Sequence, residues 1–440
     1  MKIIVLCLFF CSFCSVYAEI ADVFPRIGCE KEVVKDETTG RTITYLTSGE
    51  FMNCHFYPHN KTWAENDRYV LIESSRPAPG SSRNECKPEF FTGERQLLAA
   101  DVSTGDLYHL ATLEHESDAS EKYGKYHFTM SSQYHADYAP EHNLVVYYDM
   151  TGHNLYLLSL DTGRKKLLWH VDKGTIGDPP TICNSGDRVV VYMDMPGPSD
   201  YDFTGRTSYA FYIDVDPVEL TMKGRPEVVT VLADRWLAPE KQTGSRRSML
   251  NLSHAVINPA DRSEMSYSRG FGIADGSAEM SRVWYVKVDG SLLKPANITE
   301  KGHIYTHDLW SPNGKYIYYV DICGTGGVSK VEPGSGETTV IFKDTNPRCL
   351  HVSVSMDERY IVFDTQVSHG IKPIDKYKNH LEDLVLYDVK KKKFTLLATV
   401  NEGLNHPRHI HPQINYAGTK VAFTEADGYN SRVAFVKLDK

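Results

Sequence analysis

The chain has 440 residues and a net charge of −9 at pH 7. That charge excludes nucleic acid and membrane surfaces as partners bound through bulk positive charge, and no segment after residue 18 has the ~20 apolar residues of a spanning helix. Residues 1–18 combine Lys2, an apolar run and a small-residue end at Ala18, which is typical of a secretory signal. We therefore expect a secreted protein of residues 19–440, extracellular or periplasmic, that is monomeric and binds no membrane.

One strand–turn–strand unit recurs along the whole chain. In residues 304–321 it consists of an alternating strand, a turn at Pro312-Asn313-Gly314 and a second, apolar strand. The seven copies lie at residues 63–72, 138–149, 184–192, 258–262, 304–321, 355–364 and 415–423. Several copies are followed by a second pair of strands. Two consecutive hairpins make a four-stranded antiparallel sheet, which is one blade of a propeller.

The sequence therefore predicts an all-β fold, a single seven-bladed β-propeller of four-stranded antiparallel blades. The chain ends after the third strand of the last repeat, at residues 432–438, so the outer strand of that blade is missing there. Residues 42–46 alternate as a strand should and precede the first repeat. We predict that this N-terminal strand completes the last blade, because an open edge would leave backbone groups unpaired.

A histidine recurs at one position of the repeat, five residues before the turn. In chain order this position holds Asn60, His135, Pro180, His254, His307, His351 and His411. The first strand of a blade lines the central channel of a propeller, so a position repeated in every blade forms a ring. Channel histidines can simply bond to one another and to trapped water, but five together favour a metal or a shared charged ligand.

One side of this ring offers ligands for a metal. His409 and His411 face the same side of one strand because side chains alternate, and Cys349 and His351 do so in the neighbouring blade. The predicted metal ligands are His307, Cys349, His351, His409 and His411. Nitrogen and sulfur donors suit Zn²⁺, which is the divalent metal we expect, with Mn²⁺ or Ca²⁺ as alternatives.

The other side of the ring has no obvious set of metal ligands. It offers imidazole, phenol and guanidinium groups that suit proton transfer beside an anion. We predict catalytic roles for His135, His153, Tyr192 and Arg206, and substrate binding by Asn60 and Tyr201. Two of these have a simpler interpretation that stays open, since Tyr192 could equally be a buried strand aromatic and Arg206 a solvated loop charge.

Several of these segments resemble the propeller-fold polysaccharide lyases, namely the oligogalacturonate lyases and the ulvan lyases. Residues 306–310, 349–351 and 406–412 resemble the metal-side segments of the oligogalacturonate lyases. The resemblance implies that His307, His409 and His411 hold a metal, with His406 standing where that family has a Gln. It also implies that His254 is a catalytic base. The order and spacing of the four predicted catalytic residues are similar to those of the ulvan lyases.

The resemblance implies β-elimination at a uronic acid. We expect a secreted lyase of an anionic, ulvan-like polysaccharide, since oligogalacturonate lyases typically work inside the cell. In this hypothesis Arg206 and Asn60 neutralise the uronate carboxylate. His135 and His153 are the acid and base, with Tyr192 as a partner and His254 as the alternative base. The alternatives are an oligogalacturonate lyase with a catalytic metal, and a non-enzymatic binding propeller of the TolB-like type.

Overall fold

The computed structural model describes residues 19–80, 94–116, 121–122, 134–196, 206–233, 252–269, 274–324, 326–343, 348–366, 380–403, 407–427 and 430–439. These ranges are almost entirely β-structure, as the sequence predicts. Their one named helix, α1, is the four-residue segment Ile20–Val23. Within the same ranges, no helix has the length and apolar character that crossing a bilayer needs.

Three short strands precede the first blade: β1 (Arg26–Cys29), β2 (Glu32–Lys35) and β3 (Thr42–Tyr45). The first blade contains β4 (Asn53–His55), β5 (Trp63–Ala64), β6 (Tyr69–Ser74), β7 (Arg95–Asp101) and β8 (Asp106–Leu113). Its two short inner strands, β4 and β5, both pair with β6, and β1 is added outside β8.

The second to fourth blades follow in sequence and are antiparallel. The second has β9 (Ala136–Ala139), β10 (Leu144–Tyr148), β11 (Asn154–Ser159) and β12 (Lys165–His170). The third has β13 (Thr175–Ile176), β14 (Thr181–Ile182), β15 (Arg188–Pro196), β16 (Arg206–Asp216) and β17 (Thr221–Ala233). The fourth has β18 (Leu252–Ile257), β19 (Glu264–Arg269), β20 (Val283–Lys287) and β21 (Leu293–Pro295).

The last three blades repeat this order. The fifth has β22 (Tyr305–Trp310), β23 (Ile317–Asp321), β24 (Val328–Glu332) and β25 (Glu337–Phe342). The sixth has β26 (Arg348–Val354), β27 (Tyr360–Gln366), β28 (His380–Asp388) and β29 (Lys393–Glu402). The seventh has β30 (Gln413–Ile414), β31 (Lys420–Asp427) and β32 (Asn430–Lys437), completed by β3 and β2.

The hydrophobic core lies between neighbouring blades. Each blade packs one apolar face on the blade before it and the other on the blade after it, so its central strands are buried on both faces, as in β10, where every residue is buried. Buried apolar clusters join the first blade to the second, and so on around the ring. A further cluster joins the seventh blade to the first, through Val433 and Phe435 against Val70 and Ile72. The prediction of a single closed seven-bladed propeller is confirmed.

The ring is closed by the N-terminal strand, as predicted. β3 pairs antiparallel with β32, with Ile43 opposite Val436 and Thr44 opposite Phe435. β2 then pairs with β3 and makes a fifth strand that the sequence pattern did not reveal. The chain end and the chain start are therefore held in one sheet, and the strands between them form a continuous circle.

The closure predicts a large effect of one backbone substitution. Thr44 lies in the middle of β3, which is paired on both sides, so Thr44→Pro removes a ladder hydrogen bond and forces the strand apart. We expect it to lower the free energy of unfolding by about 3 kcal/mol, measured by chemical denaturation. Thr44→Val, which keeps the N–H and a β-branched side chain, is the matched control. Equal stability of the two variants would contradict closure by this strand.

Candidate active site

Three inner strands lose their regular pairing at a histidine of the ring. The register shifts fall between Ser253 and Val256, between Thr306 and Leu309, and between Cys349 and Val352. His254, His307 and His411 also have positive φ angles of 50°, 51° and 47°. This left-handed conformation costs a non-glycine residue ~1–2 kcal/mol, and a bulge re-aims the side chain beside it. The fold therefore maintains strain at the positions that turn imidazoles into the channel.

The imidazoles of three of these residues converge. One ligand nitrogen of each of His351, His409 and His411 lies within 4.8 Å of the others. The Nε2 atoms of His351 and His411 are 3.2 Å apart. The ring of His307 packs on that of His351, with the ring centroids 4.3 Å apart. Four of the five predicted metal ligands are thus together.

The surroundings of these imidazoles suit a divalent metal. The Nδ1–H of His351 donates to Asp364 Oδ2 at 2.9 Å and that of His307 to the carbonyl oxygen of Leu350 at 2.6 Å, so in each ring Nε2 is the unprotonated nitrogen. Asp364 also accepts the backbone N–H groups of His351 and His411, at 2.6 and 3.2 Å. A carboxylate behind an imidazole fixes its tautomer and increases its basicity towards a metal. Burial, with the nearby His351, keeps the pKa of His307 well below its usual value, so this ligand stays neutral.

The structure does not place Cys349 with these histidines. Its side chain is buried in the apolar cluster between the fifth and sixth blades, with Val352 and Val354. The predicted alternation fails because the bulge between Cys349 and Val352 breaks the two-residue period that would put Cys349 and His351 on one face. His406 lies outside the described residues. The cluster of described donors therefore consists of nitrogen atoms alone.

A second group of ionisable side chains surrounds His254. The backbone N–H of His254 donates to Asp178 Oδ2 at 2.7 Å. Burial lowers the pKa of the His254 imidazole, the positive charge of Arg282 lowers it further, and Asp178 and Asp308 act in the opposite direction. Arg282 is itself buried, and burial lowers the pKa of its guanidinium even though Asp308 is close. The site thus brings a neutral imidazole near a buried cation, although the sequence did not indicate Arg282 or Asp178.

The segment between β4 and β5 contacts both the seventh and the third blade. The Nε2 of Gln413 donates to the carbonyl oxygens of Phe56 and Tyr57, both at 2.9 Å. Asn60 is buried, and its Nδ2 donates to the carbonyl oxygen of Pro180 at 3.0 Å, which joins two positions of the predicted ring. Its predicted role in substrate binding stays a prediction.

The two predicted acid/base histidines of the second blade are buried and held by different groups. His135 bonds through Nδ1 to Glu73 Oε2 at 2.7 Å, and Glu73 also pairs with Arg95 at 3.2 Å. His153 lies in the loop before β11, and its Nδ1 donates to the carbonyl oxygen of Val171 at 2.7 Å. The Nε2 of His135 is buried with no hydrogen-bond partner in the described part of the chain. Their catalytic roles stay predictions.

The remaining predicted residues come from the third blade. The hydroxyl of Tyr192 donates to Asp194 Oδ1 at 2.5 Å, and burial together with the Asp194 carboxylate raises the pKa of that hydroxyl. Tyr192 also packs in an apolar cluster, which agrees with the simpler of its two interpretations. Arg206 is the first residue of β16, but its side chain is not among those that the structure describes, and Tyr201 lies outside the described residues. The roles predicted for both residues stay predictions.

The Glu73 network predicts a stability effect. Burial alone would raise the pKa of Glu73, but His135 and Arg95 outweigh it and lower the pKa below the usual value. The carboxylate therefore stabilises the fold above the ordinary Glu pKa of ~4.3, and this contribution is lost as the pH falls through the lowered pKa. We expect Glu73→Gln to cost about 3–5 kcal/mol at neutral pH, because Arg95 is left buried without its counter-charge.

Denaturation at several pH values checks this expectation. The difference between wild type and Glu73→Gln should shrink in acid, where the wild-type carboxyl is itself protonated. His135→Gln, which keeps the pair of Glu73 and Arg95, is the control and should cost less. A difference that stays constant with pH would contradict an ionised Glu73.

The chain is similar in sequence to two curated lyases, while no protein-family model matches it. It is 20% identical over 301 residues to the oligogalacturonate lyase of Dickeya dadantii (strain 3937), covering 64% of this chain and 72% of that protein. It is also 20% identical over 297 residues to the oligogalacturonide lyase of Pectobacterium atrosepticum, with the same coverage of each chain.

Solved structures agree in fold. An oligogalacturonate lyase in complex with manganese superposes with a TM-score of 0.69 and 16% identity, over 95% of this chain and 98% of that one. The oligogalacturonate lyase from Vibrio parahaemolyticus superposes with a TM-score of 0.70 and 17% identity, over 95% and 99%. The predicted resemblance to the propeller-fold polysaccharide lyases is confirmed. The predicted enzyme class, a carbon–oxygen lyase acting on polysaccharides, has its support in the same proteins.

Proposed function

We propose that the protein is a polysaccharide lyase that cleaves a uronic-acid-containing polymer by β-elimination. The observation that carries this proposal is the convergence, at one site in the channel, of a neutral imidazole, a buried guanidinium and a cluster of metal-binding histidines. Relatives in sequence that are named as oligogalacturonate lyases support it.

The chemistry needs each of these groups. The proton at C5 of a uronic acid is only weakly acidic, and neutralising the adjacent carboxylate stabilises the negative charge that develops when the proton leaves. Arg282 provides a fixed positive charge in a site from which water is largely excluded. His254 stays neutral because burial lowers its pKa, so it can accept the proton. A divalent metal bound by the histidine cluster would withdraw further charge from the carboxylate.

The metal belongs to the same proposal. The nitrogen donors of His351, His409 and His411, with His307 beside them, suit Zn²⁺ or Mn²⁺. The manganese in the complex of a structural neighbour supports Mn²⁺ as a candidate, and Zn²⁺ remains the expectation from donor chemistry. His135 and His153 remain a second candidate acid/base pair, since both are buried in the second blade.

We propose an extracellular or periplasmic location and an anionic polymer as substrate. The apolar run and the small-residue end in residues 1–18 support export, and export favours an ulvan-like polymer. The names of the relatives favour oligogalacturonides as the second candidate. N-terminal sequencing of the protein from the medium or periplasm of an expressing host should find Glu19 first.

A substrate panel tests the function. The full chain, produced with export and loaded with Mn²⁺ or Zn²⁺, is incubated with ulvan, polygalacturonate, oligogalacturonides and glycosaminoglycans. The ultraviolet absorbance of the unsaturated uronate product is followed in each reaction. We expect absorbance to rise with at least one uronate polymer. No unsaturated product from any of them, with either metal, would reject the proposal.

A further inference from the structure

The ring of Tyr57 lies between the candidate base and the histidine cluster. Its centroid is 5.4 Å from that of His254 and 5.1 Å from that of His411. Further ring contacts are with His59 at 4.7 Å, Tyr134 at 5.3 Å and His351 at 6.2 Å. Tyr57 therefore borders both parts of the proposed catalytic site, and a uronate with its carboxylate at the metal side and C5 at His254 would contact it.

The backbone around Tyr57 is fixed, which makes its ring a positioned group. The carbonyl oxygen of Tyr57 accepts from Gln413 Nε2 at 2.9 Å and from the backbone N–H of Asn60 at 2.7 Å. A tyrosine phenol has an ordinary pKa of ~10 and therefore carries its proton at neutral pH. A buried phenol on a fixed backbone is suited to donating that proton.

We propose that Tyr57 is the catalytic acid of the elimination. This inference rests on the proposed lyase function. Nδ1 or Nε2 of neutral His254 takes the proton from C5, and the electron pair of that C–H bond forms the double bond between C4 and C5. The bond between C4 and the glycosidic oxygen breaks, and the O–H of Tyr57 gives its proton to this oxygen, so that the leaving sugar departs as an alcohol. The imidazolium of His254 then returns its proton to the Tyr57 phenolate, and no proton is gained or lost.

The closeness of the two groups also determines the stereochemistry. An acid and a base that act on opposite faces of a sugar ring each contact it at ~3.5–4 Å, so the sugar lies between their two side chains and keeps them apart. The rings of Tyr57 and His254 are 5.4 Å apart and in edge contact. Both groups therefore act on the same face of the sugar, which makes the elimination syn. The substrate class is then a 4-linked uronate in which H5 and O4 share a face, as in glucuronate, rather than a galacturonate, in which they lie on opposite faces.

Tyr57→Phe tests the acid. We expect the variant to lose ~10²–10⁴-fold in kcat on a polymer with 4-linked glucuronate, the range for losing a positioned acid or base. Tyr147→Phe is the matched control, because Tyr147 is also fully buried and its hydroxyl has no hydrogen-bond partner among the described residues. The control should keep wild-type activity. Bound metal and the melting temperature are measured for both variants to confirm that they fold.

A second substrate separates an acid from a merely structural tyrosine. In a synthetic glucuronide whose C4 oxygen carries a nitrophenyl group, the leaving group needs no proton, so wild type and Tyr57→Phe should differ by only a few-fold. An equal loss on both substrates, or full activity of Tyr57→Phe on the polymer, would overturn the assignment. Product from polygalacturonate but not from glucuronate polymers would overturn the same-face geometry while leaving the lyase function standing. No product from any uronate polymer would instead reject the proposed function.

Discussion

His411→Ala is expected to release the metal and abolish activity. His411 contributes one of three converging nitrogens and also contacts Tyr134, whose hydroxyl lies 2.6 Å from its Nδ1. Losing a partner behind a metal ligand typically costs 10–100-fold in metal affinity or activity, and losing the ligand itself should cost more than ~100-fold. Bound metal is measured by elemental analysis and affinity by titration with Mn²⁺ and Zn²⁺. Chelation of the wild type should lower activity in parallel, and added metal should restore it.

Two further variants show whether the loss in His411→Ala is specific to the metal site. Asp364→Asn keeps all the imidazoles but weakens the carboxylate behind His351, so we expect an intermediate loss of ~10–100-fold. His142→Ala removes an exposed histidine in the turn of the second blade and should change neither metal content nor activity. Full metal binding by His411→Ala would show that the ligands lie elsewhere.

The architecture was predictable because it depends on patterns that repeat. Seven similar turns, with apolar strands on both sides, require seven similar sheets, and a sheet that is apolar on both faces must be covered on both sides. The missing outer strand at the C-terminus then required a partner from the N-terminus, and residues 42–46 offered the alternation. The additional β2 was not predictable in this way, because Glu32–Lys35 is short and its residues are mostly exposed.

The positions of the ring histidines in the sequence were predictable, but the directions in which neighbouring side chains point were not. Counting back from each turn found His254, His307, His351 and His411, which do converge near Tyr57. Applying the two-residue period to Cys349 failed, because the bulge that re-aims His351 interrupts that period. A bulge is determined by pairing with the neighbouring strand, and one strand read alone does not reveal it.

Residues outside the repeat gave no signal of this kind. Asp364 lies within β27, directly after the apolar residues 360–363, and its sequence context does not distinguish it from other acids near strand ends, yet it supports both His351 and His411. Arg282 lies just before β20, and its closeness to His254 arises only when the blade folds. Tyr57 lies between the two short inner strands of the first blade, where the repeat is least regular. The proposed roles of Arg282 and Tyr57 therefore depend on blade-specific departures from the repeat, whereas the histidine cluster comes largely from the repeat itself.

His254→Gln is expected to lower kcat by ~10²–10⁴-fold while leaving metal binding intact. The imidazole is the candidate base, and Gln cannot accept a proton at the pH values at which enzymes work. The replacement keeps the backbone N–H that donates to Asp178, so the local structure should persist. Activity is measured by release of the unsaturated product, and metal content and melting temperature are measured alongside. If the variant keeps the wild-type kcat, His254 is not the base, and His135 or His153 becomes the candidate instead.

The pH profile gives an independent check on the same residue. Only neutral His254 can act as base, and burial with the charge of Arg282 lowers its pKa below the ordinary value of ~6.5. The acid limb of kcat/KM should therefore lie below pH ~6.5, with activity independent of this group above it. Asp178 raises the pKa of His254, so Asp178→Asn, which can still accept the backbone N–H, should move the acid limb to lower pH. A shift to higher pH would mean that a different group, not His254, controls the acid limb.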